Sequence, residues 1–187
     1  MEKRFFLQMS GMPGSGKSTL AKAIARRVGC VVVDHDVVKS ALLRETGDGM
    51  DSDKAGRVSY AIEWDLINYY LDMGHNVILD SPCIHDVALT TGQGLAKKYG
   101  IQYKYVECQL RDMTQIDMRL RQRSALLSQN RLIQSREQFE KSFGNSKRPS
   151  SERFLIVDTS LPMSTYLEEV LAFVGYHKHP SRDDEES

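Results

Sequence analysis

Apolar positions along this chain change their period repeatedly, and each change marks an element. Arg4 to Met9 is a short apolar run that leads into the glycine-rich stretch Gly11 to Gly16. Beyond it Leu20, Ala21, Ile24, Ala25 and Val28 recur at helical spacing until Gly29 ends the pattern. The β-branched run Val31 to Val33 predicts a buried strand ending at Asp34, His35 and Asp36, and a short helix over Val37 to Arg44 follows. Apolar positions from Asp53 to Met73 predict a long helix closed by Gly74. Val77 to Leu79 predicts another buried strand; it stops at Asp80, because Ser81-Pro82 cannot continue a ladder. Asp86 to Tyr99 reads as helix despite Gly92 and Gly94, and Ile101 to Leu110 as strand, with a phase shift near Tyr105 and Val106 that a bulge would explain. A helix over Asp112 to Leu127, a polar stretch from Ser128 to Ser151, a strand over Arg153 to Val157 and a helix over Met163 to Val174 complete the pattern. Strands alternating with helices imply a parallel sheet.

Length and composition narrow the classes. At 187 residues the chain is the size of one domain. Residues 1–176 are expected to form it, and 177–187 to be a disordered acidic tail. Twenty-five Lys and Arg balance twenty-five Asp and Glu, so no overall basic field draws in nucleic acid, and any anion site must be local. No apolar stretch approaches the ~20 residues that span a bilayer, which leads us to expect no membrane partner and a cytoplasmic protein. Cys30, Cys83 and Cys108 lie in or beside apolar runs at spacings that suit neither zinc nor a disulfide framework, and read as reduced packing residues.

The local anion site is visible in Gly11-Met12-Pro13-Gly14-Ser15-Gly16-Lys17-Ser18-Thr19, which fits the Walker A pattern between a strand and a helix. Its glycines let backbone N–H groups converge on a phosphate at the positive end of a helix. Lys17 would neutralise the β- and γ-phosphates of ATP, and the Ser18 hydroxyl would reach Mg2+. Asp80, closing a hydrophobic strand, has the Walker B form and is the second expected metal-binding residue. A GTPase switch and base-reading motif, an ABC signature and the Asp-Gly-aromatic-Pro-Arg run of adenylate-type kinases are all missing.

Ligands of doubly wound folds sit at the carboxyl ends of the strands, which directs attention to Asp34-His35-Asp36 and Lys39. Asp36 is the expected acceptor of a hydroxyl proton, Asp34 a strand-end cap, and Lys39 a contact for the substrate. His85, in the loop after Asp80, is a further substrate candidate, and Trp64, Tyr69 and Tyr70 are candidates for a stacking wall or for the core. Arg119 and Arg123 share one face of a helix. Between Arg111 and Arg153 ten Lys and Arg face five Asp and Glu, a local excess suited to covering a triphosphate.

Taken together, the Walker A loop, the acid pair with Lys39 three residues on, Asp80 after the third strand, and Arg119 with Arg123 resemble the P-loop kinases related to polynucleotide kinase, zeta toxin and chloramphenicol phosphotransferase. The resemblance covers about residues 4–174 and implies a three-layer α/β P-loop NTPase fold. That fold has a five-stranded parallel sheet ordered 2-3-1-4-5 and a helical lid over about residues 119–151. It also implies that Asp36 is the general base, that Lys39 contacts substrate, and that Arg119 and Arg123 belong to the lid, Arg119 near the adenine. The turn Asp80-Ser81-Pro82-Cys83-Ile84-His85-Asp86 departs from the basic turn of members that phosphorylate nucleic acid. The reading is therefore an ATP- and Mg2+-dependent kinase acting on a hydroxyl of a small molecule. The alternatives are a 5′-hydroxyl polynucleotide kinase and an ATP-binding regulatory module that transfers nothing.

Overall fold

A computed structural model describes residues 3–122, 126–128, 147–150 and 154–176. Five strands, β1 (Phe5–Gly11), β2 (Val31–Asp34), β3 (Val77–Asp80), β4 (Gln102–Gln109) and β5 (Phe154–Asp158), form one sheet. The order is β2-β3-β1-β4-β5, and every pairing is parallel. Among the described residues six helices connect or follow them: α1 (Lys17–Val28), α2 (His35–Thr46), α3 (Ser52–Asp72), α4 (Asp86–Tyr99), α5 (Met113–Gln122) and α6 (Leu167–Phe173). The strand order is the one expected from the sequence.

β1 runs through the centre and is buried on both faces, as a parallel strand covered by helices must be. Phe5, Leu7 and Met9 pack with Leu20, Ala21 and Ile24 of α1 and Val170 and Leu171 of α6. Phe6 packs on the opposite side with Ile67 and Leu71 of α3 and Leu89 and Ala96 of α4. The two cores make the three layers. They leave the carboxyl ends of β1, β2 and β3 together at one edge of the molecule, followed by the glycine loop, Asp34 to Asp36, and Asp80.

Several sequence expectations need correction. β4 carries no bulge: its register with β1 is continuous from Gln102 to Cys108, and the apolar phase shift arises because Tyr105 to Cys108 are buried on both faces. α2 begins at His35, two residues early, because Asp34 already caps it. α5 is described over Met113–Gln122, and Leu126 and Leu127, expected in it, lie outside any helix. The helix expected from Met163 to Val174 is a 3-10 turn over Met163–Thr165 and then α6, with Tyr166 breaking the two apart. Most of the expected lid and all of the expected acidic tail fall outside the described residues. No described helix is long and apolar enough to cross a membrane.

Candidate active site

The carboxyl edge opens into a cavity of about 1530 Å³ whose wall includes Pro13, Gly14, Gly16, Lys17, Ser18 and Thr19 of the loop. Gly11, Gly14 and Gly16 all have positive φ (137°, 81° and 88°), a conformation that side chains resist. At Gly11 a Cβ would also stand 2.5 Å from the Cys108 carbonyl oxygen, so only glycine permits β1 to turn into the loop against β4. Gly11 and Ser15 shape the loop from beneath: Gly11 ends β1, and Ser15 is buried. Lys17 opens α1 directly after the turn at Gly16, at the positive end of the helix.

Asp34 and Asp36 line the acidic side of the cavity, and Asp80 lies buried beside Asp34 on the neighbouring strand. Asp34 pairs in register with Asp80, and its carboxylate accepts from the backbone N–H groups of Asp36 (2.9 Å) and Val37 (3.4 Å). It is the cap of α2. Burial first, and then the charges of Asp80 and Asp36, push its carboxyl above the usual range. Asp36, on the first turn of α2, lines the cavity, and the Ser128 hydroxyl donates to its Oδ1 at 2.9 Å. Ser128 is fastened there by Ser40, whose hydroxyl lies 2.9 Å from Ser128 Oγ and accepts from its backbone N–H at 3.0 Å.

Asp80 is buried, and its Oδ2 has no hydrogen-bond partner among the described residues. A buried carboxylate oxygen left in that state calls for a cation. The Cys108 thiol, pushed up to about 12 by burial, feels Lys17 and Asp80 in opposite senses, so both charges bear on the base of the loop. Among the described residues no group of three or more His, Cys, Asp and Glu surrounds a metal position. Asp80 with the Ser18 hydroxyl is a donor set of the hard, sparse kind that suits Mg2+, which draws its remaining ligands from phosphate and water.

The basic residues divide by role. Arg119 lines the cavity from α5 and donates through Nη2 to the Thr159 carbonyl at 2.7 Å. Arg119 Nη1 would be 3.8 Å from a Cβ at Gly16, which puts the guanidinium beside the loop. Arg123 lies outside the described residues. Lys39 lines the cavity from α2, with its Nζ in the space left by Gly56 of α3. His85 is an exposed residue of the rim at the cap position of α4. Of the three candidate aromatics only Trp64 reaches the cavity, edge-on to Phe6 at 6.2 Å; Tyr69 is exposed, and Tyr70 packs against the core.

Among the cavity residues that the sequence reading did not single out are Thr159, Tyr60 and Ser128, and His35 entered it only as the residue between the two acids. Thr159 Oγ1 donates toward the Ser15 carbonyl (2.7 Å) and lies 3.0 Å from the Gln109 carbonyl, joining the loop, β4 and α5 at one residue. Tyr60 stacks on His35, which pairs with the buried Glu63. A signal for the last existed. Glu63 falls in the stripe Ala55, Ser59, Ile67, Leu71, where the apolar period calls for a hydrocarbon.

A parallel five-stranded sheet in the order 2-3-1-4-5, with a Walker A loop between its central strand and the next helix, defines the P-loop NTPase fold. Within that class the chain belongs to the AAA_33 family of AAA domains, whose pattern matches residues 7–142. No curated protein matches the sequence. Among solved structures, a Chloroflexus aurantiacus protein proposed to be a kinase has TM-score 0.72 at 18% identity, covering 92% of this chain and 96% of its own. A sugar kinase from Janibacter sp. HTCC2649 follows with TM-score 0.64 and 16% identity over 94% and 99% of the two chains. The APS kinase of Mycobacterium tuberculosis, solved with AMPPNP and APS, gives TM-score 0.57 and 14% identity over 93% and 99%. At these identities the likeness is one of fold.

Proposed function

We propose that this protein is an ATP- and Mg2+-dependent kinase that transfers the γ-phosphoryl group to a hydroxyl of a small molecule. One observation carries the reading: the phosphate loop and the Asp36 carboxylate line the same cavity, and a hydroxyl already sits on that carboxylate. The hydroxyl belongs to Ser128, and its 2.9 Å bond to Oδ1 supports the reading that this carboxylate can orient an acceptor hydroxyl. The likeness to a sugar kinase and an APS kinase supports the class of reaction.

On this reading the loop N–H groups and Lys17 hold the β- and γ-phosphates, and Arg119 lies over them from α5. Mg2+, held by Ser18 and Asp80, would neutralise charge between the β- and γ-oxygens. Asp36 orients the acceptor hydroxyl and receives its proton as the bond to phosphorus forms and ADP leaves. Lys39 and His85 border the acceptor's side of the cavity.

Transfer from labelled ATP to a panel of hydroxylated metabolites, antibiotics and 5′-hydroxyl oligonucleotides tests the proposal. Asp36→Asn should lower the transfer rate roughly 10²–10⁴-fold with ATP affinity nearly unchanged. An unaltered rate removes Asp36 from the chemistry, and binding of ATP without transfer to any acceptor leaves only the regulatory module.

A further inference from the structure

One part of the cavity wall has no role in holding phosphate. α3 buries one residue per turn on its inner face, and in that row Glu63 takes the place of a hydrocarbon, fully buried. Its Oε1 lies 2.8 Å from His35 Nδ1, and its Oε2 has no partner among the described residues. A carboxylate survives such burial only when a group of opposite demand answers it, and the imidazole does so here. With a carboxylate on Nδ1, that nitrogen carries the proton, and Nε2 is left as the second functional atom of the ring. Among the described residues nothing bonds Nε2, and His35 forms part of the cavity wall. The Tyr60 ring stacks on the imidazole at 4.3 Å and 25°, while its own hydroxyl is tied to Ser81 Oγ at 2.9 Å. The imidazole is therefore fixed from two sides, on the residue that precedes Asp36 in the chain.

We propose that His35 is a specificity-determining residue of the acceptor site: its Nε2 makes a hydrogen bond with a hydroxyl of the acceptor other than the one that reacts at Asp36. The acceptor is then a polyhydroxylated compound. This rests on the kinase reading above. A hydroxyl suits Nε2 better than an anion, because Asp36 follows His35 in the chain and Glu63 stands on the other side of the ring, while the cations of this wall, Lys39 and Arg57, are separate residues of α2 and α3. The neighbouring surface, Tyr60, Trp64 and Pro82, is flat and apolar, as the C–H face of a polyol requires.

The test uses the full chain with labelled ATP and Mg2+, with glycerol, D-sorbitol and D-glucose as polyols and ethanol and 2-propanol as mono-alcohols. Phosphate is expected on at least one polyol and on neither mono-alcohol. His35→Asn keeps a donor where Nδ1 stands and loses Nε2, so it should raise the KM for that polyol roughly tenfold, the worth of one hydrogen bond, with the KM for ATP unchanged. His35→Gln, whose amide reaches the Nε2 position, should recover part of the loss. In the 15N spectrum of labelled histidine, the Nε2 signal of His35 should move when the polyol is added and stay in place with ethanol. A merely structural histidine would lower Tm without separating the two KM values. Equal transfer to mono-alcohols, an unchanged polyol KM in His35→Asn, or phosphorylation confined to anionic acceptors overturns the proposal and leaves the kinase reading standing. Absence of transfer to every acceptor of both panels overturns the two together.

Discussion

Asp34 and Asp36 have the same side chain two positions apart, and the backbone separates their work. Asp34 spends its carboxylate on two N–H groups of α2, whereas Asp36 is the second residue of the helix and presents its own to the cavity. This difference has a consequence in pH. The Asp34 carboxyl is raised above its ordinary value by burial and by its acidic neighbours, so the folded state holds its proton more tightly than the unfolded chain does. The associated stability is fully present below the unfolded value near 3.8 and is lost as pH rises through the folded one. At neutral pH the charge opposes folding. Asparagine caps a helix as well as aspartate does and carries no charge, so Asp34→Asn should raise Tm at pH 7, and the gain should shrink as pH falls toward 4. Thermal unfolding followed from pH 4 to pH 8 checks this; a Tm lowered at pH 7 would mean that the charge itself is needed by the cap. A related expectation concerns Ser128, whose hydroxyl occupies Asp36 Oδ1. An acceptor must displace it, so Ser128→Ala should lower the acceptor KM without changing the KM for ATP. A rise would mean that Ser128 helps to hold the acceptor.

At the scale of elements, what the sequence revealed was whatever depends on neighbours within a turn or two. The loop from Gly11 to Thr19 was legible because its backbone geometry is local, and the strand order followed from the class that the loop announces. α2 was misread at its start because the cap, Asp34, looked like the end of a strand and is both. The break at Tyr166 was hidden because the apolar spacing of the 3-10 turn and of α6 runs on as if one helix held them. Gly92 and Gly94 of α4 look equivalent in the sequence, yet their surroundings differ. A Cβ on Gly92 would stand 2.8 Å from both Gln8 Oε1 and Phe6 Cε1 and 3.0 Å from Tyr103, whereas nothing lies within 4 Å of one on Gly94. Gly92 is what lets α4 lie close on β1. Gly92→Ala should therefore cost about 1–3 kcal/mol by overpacking, and Gly94→Ala should add about 0.5–1 kcal/mol by favouring the helix. Denaturant unfolding of the two variants decides; equal and small effects would show that α4 can shift away from the sheet.

Across the whole molecule the site is held together by contacts that join distant parts of the chain, which is why their residues could not be read from the sequence. His35 and Glu63 are 28 residues apart, and Thr159 and Ser15 are 144 apart. Only Ser15 lies in a motif, and nothing in that motif points to Thr159. Thr159 follows the edge strand β5, yet its hydroxyl supports the Ser15 carbonyl inside the phosphate loop, and its own carbonyl anchors Arg119. The loop's nest of N–H groups and the arginine beside it are thus set by one buried residue, which is 1% exposed. Thr159→Val keeps the shape and the backbone carbonyl and removes only the hydroxyl. The Ser15 carbonyl then loses its donor in a buried setting, at a cost of about 1–3 kcal/mol to stability. Because the loop is preorganised by that bond, ATP should also bind more weakly, by roughly tenfold, while Arg119 keeps its partner. Calorimetric titration with ATP, beside denaturant unfolding, separates the two effects. A loss of stability with unchanged ATP affinity would show that the loop holds its shape without Thr159, and that the residue serves only to close the end of the sheet.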